Sequence, residues 1–252
     1  MTEEGVKKVT RSITLTIDAD SYTPATVDIA VAMAASLNAR LQGLFIEDTD
    51  LLRMADLPCS TEITFPFARQ RALNKSSLQR SLQALGAQAR DYLAKTAERS
   101  CVQWSFSTIS GKRSEAGLAD TDESELLIIG QASSYHAPAL LQPHSRHILL
   151  IDDHSPALLA ALKVILKQTA TMAMEIVLIG GKRAEPPENI EETLRDNPNI
   201  LITRLESNDV GQIIKLVAMS PDYVIISRYQ PLSLIQKIVH ESVCPVILVT
   251  TP

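Results

Sequence analysis

The sequence predicts an α/β protein built as two parallel-sheet units in tandem, and three observations predict it. Short, wholly apolar runs alternate with segments of helical periodicity, as buried parallel strands alternate with their crossover helices. The alternation occurs twice, in the same order, with a nearly constant offset between the copies. The composition, 45% hydrophobic and 21% charged over 252 residues, supplies enough apolar surface for one large or two modest domains.

The elements follow in order. Ile13–Asp18 reads as a first strand. A helix is expected over Thr26–Leu37, with Val27, Ile29, Ala30, Met33 and Ala34 on one apolar face and Asn38 closing it. Leu41–Ile46 is a second strand ending at Glu47 and Asp48, and Val102–Ile109 and Leu126–Gly130 are the next two. The second half repeats the scheme: strand Ile148–Asp153, helix Pro156–Lys167, strands Glu175–Ile179 and Ile200–Leu205, helix Gly211–Met219, strand Tyr223–Ile226, helix Leu232–His240 and strand Pro245–Thr250.

The offsets make this a repeat. Asp18 to Asp153 is 135 positions and Leu41 to Met174 is 133, whereas Val102 to Ile200 is 98 and Glu125 to Asp222 is 97. The halves therefore stay in step on either side of one insertion in the first, which divides the chain into domains at 1–144 and 145–252 with an insertion at 49–99. The insertion begins as an irregular loop interrupted by Pro58 and Pro66. It continues as a helix over Lys75–Arg99 with Leu78, Leu82, Leu85, Ala89 and Leu93 on one stripe. From Phe67 to Arg99 there are seven basic residues (Arg69, Arg71, Lys75, Arg80, Arg90, Lys95, Arg99) against Asp91 and Glu98. Two readings stand: a helix packed on its own sheet with a solvated basic face, or a surface for a homodimer or an anionic protein partner. Arg146–Ile151 aligns both with the last strand of the second half and with the first strand of the first. Ser155–Lys167 reads as the helix that follows a first strand, and Pro138 and Pro143 disfavour a regular helix after Gly130, so the first half is expected to lack its own fifth strand.

The same residues exclude several functions. Neither G-x-G-x-x-G nor G-x-x-x-x-G-K-[ST] occurs, which removes the dinucleotide and P-loop fingerprints. A net charge of −5 and 4% aromatic content argue against nucleic-acid binding. The start has no apolar leader and no apolar run approaches the roughly 18 residues of a membrane span, so a cytoplasmic protein without membrane contact is expected. Cys59, Cys101 and Cys244 form no C-x-x-C pair, and Cys101 and Cys244 are expected to be buried, reduced thiols. His136, His144, His147 and His154 crowd near Asp152 and Asp153, but their spacing matches no zinc pattern, so no metal is expected. Ser133 and Ser134 near His136 lack nucleophile-elbow glycines, and no catalytic residue is assigned.

Each half resembles a universal stress protein domain. The resemblance rests on Ile13–Asp18 and its helix, Gly43–Asp48, Glu125–Gly130 and, above all, Ile238–Thr250 with its Cys-Pro-Val strand. It implies a Rossmann-like, adenine-nucleotide-hydrolase-like fold in tandem, forming a pseudo-dimer within one chain. In nucleotide-binding members an Asp at the end of the first strand lies near the adenosine, and a Gly-x2-Gly-x9-Gly-Ser/Thr loop after the fourth wraps the phosphates. Carried over by position, Asp18 and Asp153 match the Asp and Gly130 matches the first glycine. Ser133 and Pro143 stand where the next two glycines belong, Ser227 replaces the first glycine in the second half, and Arg228–His240 has no glycine at all. The resemblance thus implies a non-catalytic, regulatory stress-response protein with degenerate nucleotide loops and no cofactor. The alternative is an ATP- or AMP-binding protein with an altered loop around Asp18, Gly130, Asp153 or Ser227. The second half also resembles a response-regulator receiver at Asp152–Asp153 and at Ser220–Ser227, but with Ser227 in place of the acceptor Asp such a domain cannot be phosphorylated.

Overall fold

The computed structural model describes residues 11–64, 69–112, 124–130, 145–151, 158, 161–163, 166, 173–180, 199–207, 209–219 and 221–250. Strand β1 (Ser12–Ile17) leads into helix α1 (Pro24–Leu37), which Thr23 caps at its start and Asn38 closes in the left-handed region at φ 50°. Strand β2 (Arg40–Asp48) is followed by a short helix α2 (Thr49–Met54), the strands β3 (Thr61–Thr64) and β4 (Arg69–Ala72), and the long helix α3 (Lys75–Arg99). Strands β5 (Trp104–Gly111) and β6 (Leu126–Ile129) are the remaining described elements of the first half. The second contains β7 (Ser145–Ile151), β8 (Ala173–Gly180), β9 (Ile200–Glu206), helix α4 (Val210–Val217), β10 (Tyr223–Ser227), helix α5 (Leu232–Glu241) and β11 (Val246–Val249). Leu158, Ala161, Leu162 and Leu166 are helical and buried.

Nine of these strands form one sheet in the order β5-β2-β1-β6-β11-β10-β7-β8-β9. Every neighbouring pair is parallel except β6 and β11, which run antiparallel. Register repeats with order: Ile13 lies opposite Leu41 as Ile148 lies opposite Ile176, an identical separation along the chain. Arg146–Ile151 takes the first-strand position of the second half, between β8 and β10. Among the described residues the first half supplies four strands of the sheet, and β11 stands beside its fourth.

This order corrects the receiver-like reading of the second half. In a receiver the first strand lies between the second and third. Here β7 lies between β8 and β10, the arrangement of a Rossmann-like half.

Both faces of the sheet carry a core that crosses the β6–β11 seam. On one face Ile13, Leu15, Leu126 and Ile128 join Ile148, Leu150, Ile225 and Ile247 beneath α1, α3 and the helical Leu158, Ala161, Leu162 and Leu166. On the other, Leu127 and Ile129 join Leu149, Val224, Val246 and Leu248 beneath α4 and α5.

Among its described residues, the 49–99 segment is more ordered than the prolines suggest. The stretch read as an irregular loop contains α2 and the antiparallel pair β3–β4, tied by an Arg71–Glu62 ion pair. Helix α3 is the crossover between the parallel strands β2 and β5, a connection that demands a long segment. Asn74 caps it by accepting from the N–H groups of Ser76 (3.0 Å) and Ser77 (3.3 Å). The predicted stripe packs inward, with Leu82, Ala89 and Leu93 buried and Leu78 and Leu85 half-buried. Gly86 lets α3 sit close to the sheet, since a β-carbon there would lie 3.1 Å from Cδ1 of Phe45. Tyr92 ties α3 to α1 by donating to the Asp28 carboxylate at 3.0 Å.

Cys101 departs from expectation. It is exposed, at φ 54° in the turn from α3 to β5, because the chain reverses outside the sheet there. Cys244 is buried, with its thiol pushed up to about 11 by loss of solvent.

Candidate functional site

In a doubly wound sheet, ligands bind beyond the carboxyl ends of the strands, at the point where strand order reverses. This sheet has two such points, after β1 and β6 and after β7 and β10. The antiparallel seam places them at opposite ends of the sheet.

The first holds two of the predicted residues together. Asp18 is buried at the end of β1, and its Oδ1 accepts from the backbone N–H groups of Asp20 (3.0 Å) and Ser21 (2.8 Å). The Asp18 N–H donates to Oγ of Ser21 at 2.8 Å, and the Tyr22 N–H donates to the Asp18 carbonyl at 3.1 Å. Thr23 then opens α1 by accepting from the Thr26 N–H at 3.1 Å. The acid at this position thus folds the β1–α1 turn, as short polar side chains do where a strand hands over to a helix.

Gly130 meets that turn from β6. Its N–H donates to the Thr16 carbonyl at 2.9 Å, and a β-carbon would lie 3.1 Å from the Ser21 carbonyl oxygen and 3.2 Å from Cβ of Ser21. Its φ is not positive, so close packing accounts for the absent side chain. Ser21, buried and bonded to both sides of the turn, is the residue that sequence reasoning missed. The Asp-x-x-Ser spacing from Asp18 was its signal.

The second switch point holds Ser227. It is fully buried, and its Oγ accepts from the Tyr229 N–H at 3.2 Å while its carbonyl accepts from the Gln230 N–H at 3.2 Å. Asp153, its expected companion, lies outside the described residues, as do His136, His144, His154 and Asp152. His147 lies at the other end of β7, 3.1 Å from Glu175 through Nδ1, in a crevice of about 290 Å³ with Leu216 and Met219. Among the described residues no group of three histidine, cysteine or acidic side chains is placed to hold a metal.

A second crevice, of about 370 Å³, runs between α3 and the outer strand β5. Its walls include Leu82, Gly86 and Ala87 on α3 and Phe106 and Thr108 on β5, with Glu47 and Arg90 among its polar groups. No described helix is long and apolar enough to cross a membrane.

Strand order and paired switch points define a mostly parallel, doubly wound α/β protein of the Rossmann-like class, with two halves fused across an antiparallel seam. No protein-family model matches the sequence, and no curated protein is significantly similar to it. Among solved structures, a universal stress protein from Archaeoglobus fulgidus DSM 4304 aligns over 94% of this chain and 96% of its own, at 10% identity and a TM-score of 0.45. A protein from the universal stress protein family from Burkholderia pseudomallei aligns over 79% and 98%, at 12% identity and a TM-score of 0.30. A functionally unknown protein from Pseudomonas aeruginosa PAO1 aligns over 96% and 92%, at 10% identity and a TM-score of 0.42. At such scores the alignments carry neither family nor activity, and the fold assignment stands on strand order.

Proposed function

We propose that the chain is a tandem universal-stress-type protein that acts in the cytoplasm as a non-catalytic regulator through partner binding, without the family's nucleotide loop. The observation that carries the reading is the employment of the candidate site residues. The Asp18 carboxylate accepts from its own turn, Gly130 is packed against Ser21, and Ser227 is buried beneath the chain that follows it. The repeated strand order and the residues at Glu125–Gly130 and Ile238–Thr250 support the family; the exposed basic residues Arg80, Arg90 and Lys95 of α3 support a partner surface on the 49–99 segment.

Calorimetric titration with ATP, ADP and AMP tests this. The expected result is no heat of binding; a dissociation constant tighter than about 10 μM, or roughly 7 kcal/mol, overturns it. A nucleotide carried through purification and seen by mass spectrometry would do the same.

One observation favours a second reading. Asp18 and Gly130 meet at the switch point of β1 and β6, the place where such sheets take ligands. An adenine nucleotide held there by an altered loop is the outcome to which tight ATP or AMP binding would point.

A further inference from the structure

The two outer strands of the sheet are unlike. Strand β9 carries Arg204 and Glu206, both exposed, and charges of this kind keep a free sheet edge from pairing with other chains. Strand β5 has eight residues, Trp-Ser-Phe-Ser-Thr-Ile-Ser-Gly, with no charge and no proline. Its register partners all lie on β2, so among the described residues the N–H and C=O groups along its outer side are unpaired. Ser105, Ser107, Thr108 and Ser110 are exposed, and their small size leaves the edge open to a close neighbour.

The crevice beside α3 follows this edge. Phe106 and Thr108 of β5 face Gln83, Ala87 and Arg90 of α3 across it. A free strand edge flanked by a helix wall is the geometry in which extended peptides are captured: the backbone ladder supplies affinity and the side groove reads alternate side chains. Arg90 has no hydrogen-bond or ion-pair partner among the described residues, nor does Glu47 at the end of the crevice. The α3 wall therefore offers an unpaired cation beside the apolar surface of Phe106 and Ala87, with the Glu47 carboxylate of β2 lining the same crevice.

We propose that β5 and α3 form a docking groove for an extended peptide that adds to the sheet as a tenth strand, placing an acidic side chain on Arg90 and an apolar one on Phe106. This deepens the partner-binding reading and rests on it, yet the two fail separately. Tight ATP binding would overturn the first without touching the groove, and a failed peptide titration would leave the nucleotide result unchanged.

The test uses the full chain and a fluorescein-labelled peptide as long as β5 in which valine and glutamate alternate, followed by fluorescence anisotropy. Saturable binding below about 1 mM is expected. Arg90→Glu, an exposed helix position, is expected to weaken it at least tenfold with an unchanged circular dichroism spectrum. The same peptide methylated on alternate backbone nitrogens is expected not to bind. Absence of binding up to about 1 mM, equal binding of the methylated peptide, or equal binding of a valine–lysine peptide overturns the proposal. So does sedimentation showing that the chain self-associates and that Ser107→Lys abolishes it, because a second copy then owns the edge.

Discussion

The two halves of the sheet carry the same strands in the same order and register, and they differ in what closes them. The second half owns a fifth strand, β11, parallel to β10. Among the described residues the first supplies four strands, and its fourth, β6, takes β11 as a reversed neighbour. They differ also on the face that α4 and α5 cover in the second half. Thr14 and Thr16 stand where the repeat places Leu149 and Ile151, and their hydroxyls meet Oγ of Ser124 at 2.5 Å and the Ile128 carbonyl at 3.4 Å. A half that borrows its closing strand and buries polar groups near its centre is a dependent copy. The seam, through which both cores pass, is where the dependence is enforced.

The largest expected effect is therefore at β11. A chain ending at Pro245 should show no cooperative transition in either half. A native-like near-ultraviolet signal from Trp104, the only tryptophan and a residue of β5, would break the comparison by showing the first half to be self-sufficient. Ile247→Ala should cost about 2–5 kcal/mol, the usual range for a buried aliphatic truncated to Ala. It should lower Trp104 fluorescence and circular dichroism in one coincident transition.

Cys244 sharpens the comparison from the second half. Burial pushes its thiol from 9.0 to about 11, with the Asp222 charge adding in the same direction and the bond to Ser242 opposing. The folded state keeps its proton after the unfolded chain has released it. The stabilisation is therefore complete below pH 9 and lost as pH rises through 11, a fall of roughly 3 kcal/mol. Cys244→Ala should flatten that fall, and in the unmodified protein Trp104 should report the alkaline loss although it lies in the other half.

The smallest effects are at the first switch point. Asp18→Ala leaves two turn N–H groups without their acceptor and should cost about 1–2 kcal/mol by chemical denaturation. Asp18→Asn keeps an acceptor oxygen and should cost well under about 1 kcal/mol. Equal losses in the two variants would mean that the charge, not the turn, is what this position supplies.

Most of the sheet was legible because strands buried on both faces are continuous apolar runs, and β6, β10 and β11 are buried at every position. The dual alignment of Arg146–Ile151 left two roles open, and the sheet order gives it the first-strand place of the second half, between β8 and β10. The β3–β4 pair was illegible for the opposite reason: Arg69–Ala72 is exposed throughout, so no apolar alternation marks it. At the site, Asp18 and Gly130 were found by position, but what they do depends on Ser21, whose role emerges only when β6 and the β1–α1 turn are brought together. Cys101 was misplaced because a thiol next to a strand can lie in the turn before it, outside the core.

The antiparallel seam also has a consequence in time. During synthesis the first half is complete through β6 long before β11 exists. At about 5–20 residues per second, the stretch from Ile129 to Val246 takes on the order of ten seconds to emerge. For that interval the nascent chain holds an open strand edge in what becomes the middle of the finished sheet. The last described strand is then a bolt slid home between two leaves already hung, and any delay in its arrival leaves β6 available to neighbouring chains.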